Sequence, residues 1–473
     1  MKILLIATNR EKSPFPVAPV GALMVAAAAR RAGHEVRVLD LAFSGNPARA
    51  AVRAVREYTP DLVGFSVRNL DNCLYVRPRS YADETRRIVE AARAATSVPF
   101  VVGGCGFSVE PEGWMRRLPV DYGVVGEGEA AFVALIQSID SGQGARGLSG
   151  VIGKAPLKAG DAPSIRPLFA DSFGAPEHAL CDYRPHLRRG GFVSVQSKRG
   201  CPYECVYCVY PNIEGRRYRL REPEAVVEEI AAVAARGARD FFFTDSVFNS
   251  PRAHALAICR GLAKRGLAIR WMAYCNPEGF DLELAKAMRE SGCVGVEFGL
   301  DAATQKMLGN MGKSFSQEDI RRALQAVRDA VLPSAVHLLF GGPDETLDDL
   351  VETRSFLDGC ATPNAVFASL GIRVYSGTAM ERIARAEGAV KEGDDLFEPR
   401  YYVSKGWGAN PQARLDHVAR SRPEWTTATD WLRSSMGLIQ GLINRMGMKP
   451  QWKNIANYGR RMRKQTKDEE SGE

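Results

Sequence analysis

Cys201, Cys205 and Cys208 stand in the run Arg199-Gly200-Cys201-Pro202-Tyr203-Glu204-Cys205-Val206-Tyr207-Cys208. The spacing C-x3-C-x2-C puts three thiols on one loop with no fourth cysteine nearby. A closed structural zinc site takes four ligands, and an ordinary iron–sulfur cluster takes four cysteines. Three cysteines leave one cluster iron open for a substrate or cofactor. The competing reading is a zinc knuckle completed by a distant His or Cys, or a loop of unrelated thiols. The run follows a strand-like segment, Phe192-Val193-Ser194-Val195-Gln196. A loop at the carboxyl end of a barrel strand is where catalytic groups collect.

The elements around the loop alternate. Residues 222–236 have a helical pattern, and residues 240–245, 268–274, 294–300, 335–340 and 365–375 read as strands. Polar groups fall at the strand ends. Thr244-Asp245-Ser246 follows the second strand and Gly341-Gly342-Pro343-Asp344-Glu345-Thr346 the fifth. Glu297 interrupts an apolar strand, where a carboxylate is costly unless paired. It serves either a polar ligand or a salt bridge to a neighbouring arginine. Arg373 opens Arg373-Val374-Tyr375-Ser376-Gly377-Thr378 and has the same two readings, cofactor contact or ion pair.

Upstream, residues 3–7, 36–40, 62–66, 100–104 and 122–125 are short apolar runs separated by helical patterns. That alternation implies a parallel sheet with right-handed crossovers, whose ligands bind beyond the strands' carboxyl ends. The loops there hold Thr8, Ser66, Gly103, Gly104, Gly126, Glu127 and Gly128. Glycines let backbone approach a flat or phosphorylated ligand.

The cysteine run with Tyr207 in its aromatic place resembles the signature of the radical S-adenosylmethionine (SAM) enzymes, and the six strand units resemble their partial (β/α)6 barrel. The first domain, closing on Val125-Gly126-Glu127-Gly128-Glu129, resembles the cobalamin-binding domain found before many such barrels. The expected fold is therefore α/β: a doubly wound, Rossmann-like cobalamin-binding domain over 1–140, a linker over 141–190, the radical SAM barrel over 191–385, and a helical extension with a basic tail over 386–473. The resemblance implies a [4Fe–4S] cluster on Cys201, Cys205 and Cys208. It implies SAM against Tyr207, Thr244, Asp245, Glu297, Gly341, Gly342 and Arg373, and cobalamin against the seven loop residues of the first domain. The D-x-H-x-x-G motif that supplies a histidine to cobalt elsewhere is absent, and His34 sits in a turn. Cobalt without a histidine ligand from this domain is the expectation. At the sixth strand Ser376 replaces the usual Pro of the family's Pro-Gly-Thr.

Three functions stay open. The first is cobalamin-dependent methylation of an unactivated carbon of a small or lipid-like metabolite, through a 5′-deoxyadenosyl radical. The second is a radical rearrangement or oxidative ring closure without methyl transfer. The third is a non-catalytic metal-binding or scaffold protein. A methylthiotransferase needs a second cluster on three N-terminal cysteines, and Cys73 and Cys105 are the two that precede residue 141. The cluster requires a one-electron donor such as flavodoxin or ferredoxin. No residue pattern identifies the group that moves a proton at the substrate.

Composition sets the remaining bounds. The chain has 473 residues, 45% of them apolar, enough for two or three packed domains. The opening Met1-Lys2-Ile3-Leu4-Leu5-Ile6-Ala7 runs straight into a strand pattern, so neither a signal peptide nor a spanning segment is expected. The 10 cysteines follow no disulfide framework, which points to a reducing cytoplasm. Net charge is +8, concentrated in residues 445–467. With no nucleic-acid module beside it, that stretch reads as a solvated basic segment that can touch a membrane surface, and no nucleic-acid partner is expected. An amphipathic helix is expected over 430–444.

Overall fold

The computed structural model describes residues 1–145, 147–153, 169, 172–431, 441–444 and 446–453. The basic tail beyond residue 453 and most of the amphipathic stretch 430–444 lie outside them. Two sheets, parallel except at β6, organise the chain. The first contains β1 (Lys2–Ala7), β2 (Glu35–Asp40), β3 (Leu62–Ser66), β4 (Phe100–Gly103), β5 (Tyr122–Val124) and β6 (Val151–Gly153), in the order β2-β1-β3-β4-β5-β6. Alternate residues of β1 enter different cores. Ile3 and Leu5 pack with Phe132, Leu135 and Ile136 of the helix Gly128–Asp140, while Leu4 and Ile6 pack with Val55 and Ile88 from the other face. Burial on both faces is why these strands read as continuous apolar runs.

Described parts of the stretch expected to be a linker join this domain. Residues 151–153 form β6, antiparallel to β5. Farther on, Glu177 pairs with Arg30 at 3.2 Å, and the buried His186 bonds Asp40 at 2.7 Å. Glycine and proline content hid these contacts, which lie far apart in the chain.

The second sheet opens at β7 (Val193–Val195), followed by an antiparallel ribbon of β8 (Lys198–Arg199) and β9 (Arg219–Leu220). Then come β10 (Asp240–Phe243), β11 (Arg270–Cys275), β12 (Cys293–Asp301), β13 (Ser334–Phe340) and β14 (Ala365–Leu370). A second ribbon, β15 (Ile372–Arg373) with β16 (Tyr401–Tyr402), precedes β17 (Trp425–Thr427). The order is β17-β14-β13-β12-β11-β10-β7, all parallel. The seventh strand comes from the extension expected to be helical, and three residues are too few to carry a strand period. The sixth expected strand breaks at Gly371, whose φ is +83°. A Cβ there would lie 2.8 Å from the Tyr75 ring, so the first domain's close approach requires glycine.

The sheet faces divide as the pleat demands. Phe241, Phe243, Trp271 and Ala273 enter the helix-covered core, whereas Phe242 and Met272 share the other face with Phe192 and Trp452. Trp452 comes from the C-terminal segment, which therefore packs into the inner face of the sheet. Between domains, Val17 makes a parallel bridge to Phe192, Trp114 packs edge-on against Phe397 at 5.0 Å, and Arg373 bonds Asp71 at 2.8 Å. Among the described residues, no helix is long and apolar enough to cross a membrane.

Candidate active site

The cysteine loop is pinned from several sides. Gly200 has φ +85°, and a Cβ there would sit 2.0 Å from the Arg217 carbonyl. The N–H of Cys201 donates to Gly215 O at 3.0 Å and that of Val206 to Met311 O at 3.1 Å. Burial pushes all three thiols up, Cys208 to about 12. Their ionisation therefore needs a cation beside them. Among the described residues, no three His, Cys, Asp or Glu converge on a single metal ion. Cluster cysteines bind separate irons and stand farther apart, and all three line one cavity of about 370 Å³. The donor set and its spacing fit a cluster.

Tyr207, Thr244, Asp245, Tyr274, Asn276, Gly299 and Lys313 share that cavity. Tyr207 donates its hydroxyl hydrogen bond to Asp301, which also receives Lys313. The Lys313 Nζ lies 3.7 Å from Cys205 Sγ. Asp245 accepts from Ser197 N at 2.7 Å, Lys198 N at 3.2 Å and Ser197 Oγ at 2.5 Å. Its carboxylate thus holds the start of the cysteine loop.

Four expected SAM contacts sit away from this cavity. The Gly341 and Gly342 N–H groups both donate to Glu345 Oε2. Glu297 is buried between His337 Nε2 at 2.7 Å and Trp452 Nε1 at 3.1 Å. Arg373 is 6% exposed and spends its guanidinium on Asp71, Val374 O and Leu396 O. For Arg373 the ion pair is the reading the structure realises; for Glu297 the partner is a histidine instead of the expected arginine.

A second cavity, of about 270 Å³, lies at the carboxyl ends of β1, β3, β4 and β5. Ser66, Gly103, Gly104, Gly126, Glu127 and Gly128 all line it. Thr8 does not; it stands behind, its Oγ1 bonded to Ser66 O at 3.2 Å. Gly104 has φ +103°, and a Cβ there would lie 2.5 Å from Val67 O. This glycine-edged cradle admits a flat ligand by backbone. Glu127 and Glu129 reach across to Arg199 at 3.2 and 2.6 Å, so the first domain clamps the residue two before Cys201. No histidine lines either cavity; His34 lies elsewhere, its Nδ1 3.3 Å from the Met1 amine. The two cavities share Val17, Arg68, Ser194, Tyr210 and Thr244. Whatever fills one therefore adjoins what fills the other.

A B12 binding domain model matches residues 7–136, and a radical SAM superfamily model matches residues 195–357. The chain thus carries a radical SAM domain and a B12 binding domain. It is 29% identical to the tryptophan 2-C-methyltransferase of Streptomyces laurentii, over 79% of this chain and 73% of that one. An uncharacterised methyltransferase of Pyrococcus horikoshii is 28% identical, over 75% and 77%. The solved radical SAM methyltransferase TsrM of Kitasatospora setae superposes with a TM-score of 0.83 at 26% identity, covering 98% of this chain and 99% of that one. That structure has been solved with tryptophan and a SAM analogue, and also with cobalamin and a [4Fe-4S] cluster.

The radical SAM domain takes a [4Fe–4S] cluster with SAM, and the B12 binding domain takes cobalamin. Lys313, Asp301 and Arg199 escaped sequence reasoning. Arg199 opens the cysteine run and could have been marked by that position. Lys313 and Asp301 carry no local signal, because their partners come from the cysteine loop.

Proposed function

We propose that this protein transfers a methyl group from SAM, by way of cobalamin, to a carbon atom of a small or lipid-like metabolite in the cytoplasm. The observation that carries this reading is the junction of the two cavities at Val17, Arg68, Ser194, Tyr210 and Thr244. A barrel that only abstracts hydrogen has no need of a corrinoid at its mouth. The methyltransferase names of its relatives support the same reading.

When bound, the cluster supplies an electron to SAM and cobalamin carries a methyl group. The chain's own part is placement and exclusion of water. Cys201, Cys205 and Cys208 would hold the cluster and leave one iron open to SAM. Tyr207, fixed by Asp301, and Thr244 border the SAM side. Gly103, Gly104, Gly126 and Gly128 would admit the corrin edge, with Ser66 and Glu127 beside it. The Arg199 clamp on Glu127 and Glu129 keeps the two cavities in register. A flavodoxin- or ferredoxin-type protein delivers the electron.

The test is anaerobic reconstitution with iron, sulfide and cobalamin, followed by mass-spectrometric comparison of a metabolite extract with and without enzyme. A metabolite heavier by one methylene unit supports the reading. Consumption of SAM with a product of unchanged carbon count contradicts it.

A further inference from the structure

The cysteine loop has two sides. On one, Cys201, Cys205 and Cys208 line the cavity that SAM would share. On the other lies the turn that leads into β9. The N–H of Cys201 donates to Gly215 O at 3.0 Å, and a Cβ on Gly200 would stand 2.0 Å from Arg217 O. Gly215, Arg216 and Arg217 do not border the cysteine cavity, so this turn backs the loop from outside. It is one backbone layer away from a cluster ligand, and the side chains of Arg216 and Arg217 are exposed.

The neighbouring arginines are committed to carboxylates. Arg199 pairs with Glu127 and Glu129, Arg219 with Glu127, and Arg221 with Glu229 at 2.6 Å. Arg216 and Arg217 have no side-chain partner among the described residues. Apolar groups are exposed beside them. Leu220 and Phe169 both face water, and the Phe169 ring lies 3.4 Å from where a Cβ on Gly215 would stand. Pro202, next to Cys201, is exposed as well. The loop's own exposed carboxylate, Glu204, has its backbone against Gly312 instead of this turn.

Electron tunnelling weakens steeply with distance, so a donor protein has to dock where the cluster loop nears the surface. The cavity side is walled by Phe15, Val17 and Arg68 of the first domain, which leaves the outer side. Free cations around exposed apolar side chains suit an acidic partner, and charge complementarity speeds its encounter. We propose that Arg216 and Arg217, with Leu220 and Phe169, form the docking site of a flavodoxin-type carrier. Its acidic face meets the arginines, and the apolar benzenoid edge of its flavin meets the exposed apolar groups. The flavin hydroquinone anion gives up one electron and becomes the neutral semiquinone; the oxidised cluster takes that electron, and no proton moves. The proposal rests on the reading that a one-electron carrier protein reduces the cluster, and it places that partner on the chain.

The experiment uses the holoenzyme, loaded with cluster and cobalamin, and an acidic flavodoxin. Binding of oxidised flavodoxin is measured by calorimetry at low and high salt. Reduction of the cluster by flavodoxin hydroquinone is followed anaerobically by stopped-flow absorbance. Arg216→Glu combined with Arg217→Glu weakens binding at low salt by about tenfold and slows that reduction, and high salt narrows the difference. Reduction by dithionite, which needs no docking surface, is unchanged. Arg49→Glu combined with Arg56→Glu, on exposed positions of the helix Pro47–Tyr58, makes the same change in net charge and leaves flavodoxin binding intact. The proposal is overturned if flavodoxin binds the native protein and the Arg216, Arg217 variant alike, or if the two arginine pairs matter equally. It is overturned too if an acidic ferredoxin uses this patch and flavodoxin does not. Binding is read with oxidised flavodoxin, so it stands or falls apart from whether the cluster can be reduced, which dithionite reports separately.

Discussion

Lys313 Nζ lies 3.7 Å from Cys205 Sγ, and its closest partner is the Asp301 carboxylate. Burial works against the ammonium, but Asp301 and Cys205 outweigh it and raise the lysine's pKa. A fixed cation beside a cluster ligand favours the more negative, reduced cluster. Lys313→Met is expected to shift the cluster's midpoint to a more negative potential without loss of iron. Potentiometric titration followed by electron paramagnetic resonance measures this; an unchanged midpoint would remove Lys313 from the electron-transfer account.

The Arg373–Asp71 pair joins the two domains with side chains 4% and 0% exposed. Removing one partner leaves a buried, uncompensated charge. Arg373→Met should therefore cost about 3–5 kcal/mol in denaturant unfolding. Arg373→Met combined with Asp71→Asn should recover much of that loss. If the double variant is no more stable than the single one, the pair is not what holds this contact.

Glu214 borders the second cavity, between Gln196 Nε2 at 3.1 Å and the Gly200 N–H at 3.3 Å. Burial lifts its carboxyl from 4.5 to about 7, against the pull of Arg199. The fold thus binds a proton that the unfolded chain releases. This contribution to stability is complete below about pH 4.5 and is lost as pH rises to about 7, a change of roughly 3 kcal/mol. Glu214→Gln keeps the neutral form, so its melting temperature should fall less than that of the native protein over that window. Parallel pH profiles for the two would refute the assignment.

The cluster and cobalamin cavities have different linings, and Cys201, Cys205 and Cys208 belong to one of them. The triple Cys→Ala variant should lose the iron–sulfur absorption and all SAM cleavage. It should still bind cobalamin at close to native affinity. Loss of both cofactors together would mean that the loop also shapes the second cavity.

Legibility in the sequence followed distance along the chain. The cysteine loop and the parallel strands were readable because a local spacing and continuous apolar runs carry them. Six of the seven residues chosen for the cobalamin cradle do line one cavity, since strand ends in a parallel sheet are a topological consequence. Arg373 and Glu297 could not be settled that way. Their partners Asp71 and Trp452 lie 302 and 155 residues away. The strand β17 has three residues and no period to read.

The central claim is methyl transfer between adjoining cofactors, and isotope label tests it most directly. Holoenzyme is incubated anaerobically with reductant, metabolite extract and SAM labelled in its methyl group. The account predicts that the label appears on a carbon of the product, with S-adenosylhomocysteine and 5′-deoxyadenosine formed in near-equal amounts. Product that forms with 5′-deoxyadenosine while every label stays in the methyl group of SAM would contradict it, and would put ring closure or rearrangement in its place.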